Sequence, residues 1–295
     1  MKIFFAGADD AESYRKILLE VGATCKLESY WSLKTKKVLG APSAFENYLL
    51  DSGGFVARNK GINISVKDYA KFINLHGIKL AFNLDTNDDS VTLYNQEYLQ
   101  SETKAYILPI YHGSDYYGGD RTLLHRYLDL GHPYIALGGI AGVPNINWEM
   151  QLEFYSYVFR HTRDKTAVHG LGITAKSILE LYPWYSVDST SWLAMARYGR
   201  GSGFGVDERV AAYYAKKVHY LVSTKIEAQW WINLEQYLTD IWKIRKIVWE
   251  HLNLSQLRTY METRSGFITG ENGKDTLLNK VSTDTDSSIQ FTLFQ

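Results

Sequence analysis

Two aspartates, Asp51 and Asp188, each close a short apolar run and sit among small residues, in Leu49-Leu50-Asp51-Ser52-Gly53-Gly54 and Ser186-Val187-Asp188-Ser189-Thr190. Two carboxylates in one pocket suit chemistry at a glycosidic carbon. One attacks C1′ of a sugar as positive charge develops there, and the other handles a proton on the leaving or entering group. A nucleophilic aspartate has to stay ionised, so it needs nearby donors and little desolvation. The hydroxyls of Ser186, Ser189 and Thr190 are the expected donors for Asp188. Four further positions of chemical interest, Asp85, His112, Gly138 and His169, also fall just after apolar runs.

The elements that must position these residues follow from the patterning. Short β-rich apolar runs at residues 3–6, 24–30, 49–50, 79–84, 106–111, 134–137, 166–168 and 185–187 read as strands. Amphipathic stretches at 12–21, 66–76, 123–130, 148–160 and 174–181 read as helices, several of them stopped by glycine (Gly22, Gly77, Gly131). Repeated βα units imply a parallel sheet with right-handed crossovers. Eight units predict an α/β fold closed into a (β/α)8 TIM-type barrel, with a doubly wound open sheet as the alternative. In a barrel, Asp51, Asp85, His112, Gly138, His169 and Asp188 converge on the C-terminal mouth, where active sites are built. Read singly, Asp and Gly are also common loop starters and helix caps.

A chain of 295 residues suits one barrel plus an appendage. The expected division is a barrel over 1–205, a helical C-terminal extension over 206–264 with Trp230, Trp231, Trp242 and Trp249, and a polar tail over 265–295. Lys plus Arg equals Asp plus Glu, 32 against 32, so any nucleic-acid partner needs a local basic patch. Lys243-Ile244-Arg245-Lys246 is one candidate, or else the solvated face of a helix. Residues 199–205, Gly-Arg-Gly-Ser-Gly-Phe-Gly, lack the lysine of a phosphate loop and read as a lid or contact loop. The single cysteine, Cys25, allows no internal disulfide and no Cys-rich zinc site, and a cytosolic protein fits. No metal and no cofactor is expected. The apolar start breaks at Asp9-Asp10, too short for a signal peptide, and no run reaches transmembrane length, so no membrane partner is expected.

Asp51-Ser52-Gly53-Gly54-Phe55 resembles the DSGGF motif of tRNA-guanine transglycosylases, and five further motifs resemble that family in order. They are Phe82-Asn83-Leu84-Asp85, Pro109-Ile110-Tyr111-His112-Gly113, Ala136-Leu137-Gly138-Gly139-Ile140, His169-Gly170-Leu171-Gly172 and Ser186-Val187-Asp188-Ser189-Thr190. The resemblance spans roughly residues 3–199. It implies that Asp188 attacks C1′ of a guanosine, expelling guanine and forming a covalent glycosyl-enzyme. Asp51 then acts as general acid/base toward N9. Asp85 reads the N1–H and 2-amino edge of the base, and the amides around Gly138 and Gly139 meet its O6 or 7-substituent side. Phe55 or Tyr111 stacks on the base, and His112, Gly113, His169 and Gly170 complete the substrate-binding set.

The chain departs from the family in lacking the Cys₃His zinc site of the tRNA enzymes, and in having His112 where a base-reading glutamine is usual. A zinc-free, compact member is most similar to the DNA 7-deazaguanine transglycosylases of phages and bacteria. The implied partners are therefore nucleic acid, DNA before tRNA, and a free 7-deazaguanine base such as 7-cyano-7-deazaguanine (preQ0). A glycoside hydrolase uses similar carboxylates but leaves Asp85 and Gly138-Gly139 without a task. A catalytically silent nucleic-acid-binding paralogue leaves Asp51 and Asp188 without one.

Overall fold

The computed structural model describes residues 1–7, 12–34, 42–139, 145–163, 165–194, 220–247, 249 and 257. The strands are β1 (Lys2–Phe5), β2 (Cys25–Ser29), β3 (Asn47–Asp51), β4 (Leu80–Phe82), β5 (Tyr106–Leu108), β6 (Ile110–His112), β7 (Tyr134–Gly138), β8 (Ala167–Gly170) and β9 (Ser186–Ser189). The longer helices between them are α1 (Glu12–Glu20), α4 (Val66–Leu75), α5 (Asp89–Glu102), α7 (Thr122–Asp129), α8 (Trp148–Thr162) and α10 (Tyr220–Ile244). Short helices α2 (Tyr30–Leu33), α3 (Gly54–Asn59), α6 (Gly113–Tyr117) and α9 (Lys176–Leu181) follow strand ends.

All strand pairs are parallel, in the order β5-β4-β3-β2-β1-β9-β8-β7-β6. The two end strands are consecutive in the chain, separated only by Pro109. Proline has no N–H to give to a ladder, so the run from Tyr106 to His112 is assigned as two strands rather than one. Neighbouring carbonyls there serve opposite partners. Leu108 O accepts from Asn83 N and Pro109 O from Ala136 N, both at 2.9 Å, and this closes the ring into a TIM-type barrel. The count of nine in place of eight comes from this break.

Strand residues alternate between two buried faces. Phe4, Leu27, Leu49, Phe82, Ile110 and Tyr134 fill the barrel interior. Their neighbours Phe5, Tyr111, Ile135 and Val187 pack outward against the helices. Cys25 faces inward and is buried. Desolvation pushes its thiol up to about 12, which keeps it protonated and inert.

Helix α10 packs on β1, α1 and α9. Glu235 accepts a 2.8 Å bond from Ile3 N, and the Met1 ammonium donates to Thr239 Oγ1 at 3.2 Å. Both contacts lie at the start of β1, so α10 runs from the mouth toward the opposite end of the barrel. Lys243, Arg245 and Lys246 therefore sit far from the mouth, with the Arg245 guanidinium 4.8 Å over the Trp242 ring and bonded to Glu180 O. Of the two expectations for this cluster, its exposed side chains at the end of α10 fit the solvated helix face. Residues 199–205 lie outside the described residues.

Candidate active site

Alternation along the strands puts Asp51, His112, Gly138, His169 and Asp188 on the inner face at the C-terminal end of β3, β6, β7, β8 and β9, in phase with Leu49, Ile110, Ala136, Ala167 and Ser186. Five of the six residues expected at strand ends are thus inward-facing strand residues. The sixth, Asp85, stands three residues beyond the end of β4.

The segment carrying Asp85 is stitched to α5 on both sides. Asn83 Nδ2 donates to Thr92 O (3.0 Å), Asn95 Nδ2 to Leu84 O (2.8 Å), and Thr86 N to Thr92 Oγ1 (2.9 Å). The helix cap is not Asp85 but Asp88, whose Oδ1 accepts from Ser90 N and Val91 N. Asp85 is left for another task. Its Oδ2 lies 3.0 Å from His112 Nε2. A carboxylate only accepts, so Nε2 carries the proton in this contact. The ring that makes this bond lies against Gly138: a Cβ there would be 2.0 Å from His112 Nδ1. Gly138 is therefore required for His112 to lie across the mouth.

Asp188 is held by a second histidine. Its Oδ1 is 3.2 Å from His169 Nε2 and accepts from Gly172 N at 2.9 Å. Among the described residues no hydrogen bond falls on Oδ2. His169 Nδ1 lies 2.7 Å from Ser186 Oγ, which lies 2.5 Å from Tyr134 OH. Burial holds the Tyr134 phenol well above its ordinary range, so it remains an O–H donor. A neutral imidazole would satisfy all three contacts in one order: Tyr134 donating to Ser186, Ser186 to His169 Nδ1, and His169 Nε2–H to Asp188. The His169 side chain is 0% exposed and that of Asp188 13%, so the carboxylate faces the mouth and the imidazole supports it from below.

The expected hydroxyl donors to Asp188 are corrected. Ser189 is out of phase with Asp188, and its Oγ accepts from Ser191 N; Ser186 is in phase but one step deeper, where it meets His169. The donors are His169 and the Gly172 amide instead. A backbone amide leaves no side-chain signal in a sequence, although the His169–Gly172 turn was recognisable.

Asp51 ends β3 before a turn that only glycine permits. Gly53 has φ +74°, and a Cβ there would lie 2.3 Å from Trp31 Cβ. Beneath Asp51 and Asp85, the Tyr69 hydroxyl bridges the strand ends at Leu50 O (3.3 Å) and Phe82 O (3.1 Å). Burial first, then the Asp51 carboxylate, holds this phenol well above its usual range.

Other expected site residues divide. Phe55 is 60% exposed in α3, beside the Gly53 turn, and is available to a ligand. Tyr111 is not: it points outward from β6, packs on Phe154 and donates to Asp120 O. Gly170 also faces outward, where a Cβ would lie 2.9 Å from Trp184 Cζ3, so its task is packing. Gly113 is buried as the first residue of α6, and Gly139 follows β7 exposed. His169 reaches a ligand only through Asp188.

Among the described residues, no group of three or more His, Cys, Asp or Glu side chains is placed to hold a metal ion. Among them, too, no helix is long and apolar enough to cross a membrane. A cavity of about 490 Å³ lined by Asn47, Tyr48, His76 and Lys79 opens at the starts of β3 and β4, the wrong end for the strand-end carboxylates. No known protein-family model matches the chain, and no curated protein matches it.

Proposed function

We propose that this chain is a base-exchange transglycosylase that replaces guanine in nucleic acid, DNA before tRNA, with a 7-deazaguanine such as preQ0. The observation that carries the reading is the state of Asp188: a carboxylate at the barrel mouth, fixed through Oδ1 by His169 and Gly172. Its other oxygen carries no bond among the described residues. Beside it the mouth holds Asp51 and the Asp85–His112 pair.

In the first half-reaction an Asp188 oxygen forms a bond to C1′ as the C1′–N9 bond breaks, and Asp51 supplies the proton that the departing guanine takes at N9. In the second, Asp51 accepts the N9 proton of the incoming base, N9 bonds to C1′, and the Asp188 ester bond breaks. Asp85 offers acceptor oxygen to the N1–H and 2-amino donors shared by guanine and 7-deazaguanines. Its bond to His112 orients that oxygen. Phe55 lies where a flat base enters. The reading places the chain in a cytoplasm, that of a bacterial host where the gene is a phage's.

The test is incorporation of radiolabelled guanine into duplex DNA, run beside tRNA. Exchange into DNA is expected. Exchange into tRNA alone transfers the activity to that substrate, and incorporation into neither overturns the reading.

A further inference from the structure

A chain with no net charge draws a polyanion only through a local patch, and the basic run at the end of α10 is at the wrong end of the barrel. One corner of the mouth's rim does gather positive charge. Trp31, in α2 directly after β2, has the Lys34 ammonium 3.7 Å from its ring centroid and the Lys60 ammonium 5.8 Å from it. Both lysines are exposed. Lys16, Lys71, Lys176 and Lys225 each have a carboxylate within 4.0 Å, whereas Lys34 and Lys60 pair with none among the described residues. Two like charges drawn to one ring repel each other. The negative face of the indole offsets part of that repulsion, and an anion between the two ammonium groups would offset more.

The corner is continuous with the candidate active site. The backbone of the Gly53 turn presses on Trp31, leaving no room for a Cβ. Asp51 is two residues away, at most about 7.6 Å along the chain. Exposed Phe55 and Val56 lie in the first turn of α3, and Lys60 follows its end.

We infer that Trp31, Lys34 and Lys60 form a phosphate-docking corner for the nucleic-acid strand whose nucleotide enters the mouth. The inference rests on the reading that the mouth takes a nucleoside from a strand. Lys34 and Lys60 contact the backbone flanking that nucleotide, and Trp31 holds the two amines in position. Such contacts set register and carry no sequence information.

The experiment is fluorescence anisotropy of a labelled single-stranded DNA oligonucleotide titrated with the full chain over a range of salt. Wild type is compared with Lys34→Ala/Lys60→Ala and with the distant pair Lys243→Ala/Lys246→Ala. Loss of two phosphate contacts should reduce the slope of log affinity against log salt by about 1.4, which is about 25-fold in affinity at 0.1 M salt. The distant pair should bind as wild type does. Unchanged affinity and slope in the first pair overturn the inference, as does an equal loss in both pairs or a wild type that binds no DNA at low salt. The exchange assay is read separately. Exchange with binding that ignores Lys34 and Lys60 removes only the docking corner, and binding that depends on them without exchange removes only the reaction.

Discussion

His169 Nε2 stands 3.2 Å from Asp188 Oδ1, and the other nitrogen of the same ring stands 2.7 Å from Ser186 Oγ. The ring is fully buried, with Phe4 and Phe82 at centroid distances of 5.8 and 5.2 Å. An imidazole bonded at both nitrogens and enclosed by aromatic rings has one orientation available. It fixes the carboxylate in turn, which is the support a nucleophile needs to meet a carbon along one line.

Asp188→Asn tests the nucleophile. The amide oxygen of asparagine still accepts from Gly172 N and His169 Nε2, so the melting temperature should stay close to wild type. Exchange should be abolished, and no covalent complex with nucleic acid should be trapped on denaturing gels. Retained turnover in a folded variant would refute the assignment.

Asp85→Ala should weaken preQ0 binding in calorimetric titration. A buried carboxylate that discriminates by accepting two donors contributes about 1–3 kcal/mol, roughly fivefold to more than a hundredfold in affinity. The variant should melt near wild type, because the cap of α5 belongs to Asp88. Asp88→Ala should do the reverse, lowering the melting temperature and leaving preQ0 affinity unchanged. Unchanged affinity in Asp85→Ala would sink the base-reading role.

The strand ends were legible because an Asp, His or Gly interrupting an apolar run is a strong contrast, and in a parallel barrel such interruptions gather at one mouth. Which face each residue takes was harder to read. Strands buried on both sides are apolar on both, so Tyr111 carries no mark separating it from an inward residue. Tyr134, two residues before Ala136 and four before Gly138, reads as core filling, and only its 2.5 Å approach to Ser186 reveals the support under Asp188. Helix α5 is patterned in the opposite way. Its buried face is polar, with Thr92, Asn95 and Gln96 serving strand and loop carbonyls, and its apolar Val91 and Tyr94 are exposed.

Gly138→Ala should disable base binding through His112. The added methyl would lie 2.0 Å from Nδ1 and 2.3 Å from Cε1, so the ring must swing away and give up its bond to Asp85. Overpacking of this kind costs about 1–3 kcal/mol. Gly170→Ala, with a methyl 2.8 Å from Ile173 Cδ1 and 2.9 Å from Trp184 Cζ3, should destabilise without touching the mouth. Melting curves and preQ0 titrations of both variants separate the two effects. Equal affinity losses would show that Gly138 has no special relation to the site.

Acid should destabilise the barrel through a histidine far from the chemistry. His132 precedes β7, is buried, and has Nδ1 3.1 Å from Tyr106 OH. Desolvation lowers its pKa to about 4, against about 6.5 in an unfolded chain. Between those values the unfolded state binds the proton and the folded state does not. The contribution of neutral His132 is therefore fully present above pH 6.5, is lost as pH falls toward 4, and changes no further below that. A gap of this size corresponds to at most about 3–4 kcal/mol. Carboxylates also titrate over part of this range, so the informative quantity is the difference between wild type and His132→Gln, which cannot take up the proton. Tyr106 retains its 2.6 Å bond to Tyr134 O in that variant. Urea midpoints measured from pH 7.5 down to 4.5 should show the variant less stable at the upper end and closing on wild type, or passing it, at the lower. Parallel curves across the whole range would mean that His132 titrates alike in the folded and unfolded chain, and that its burial is not what sets the acid limit of the fold.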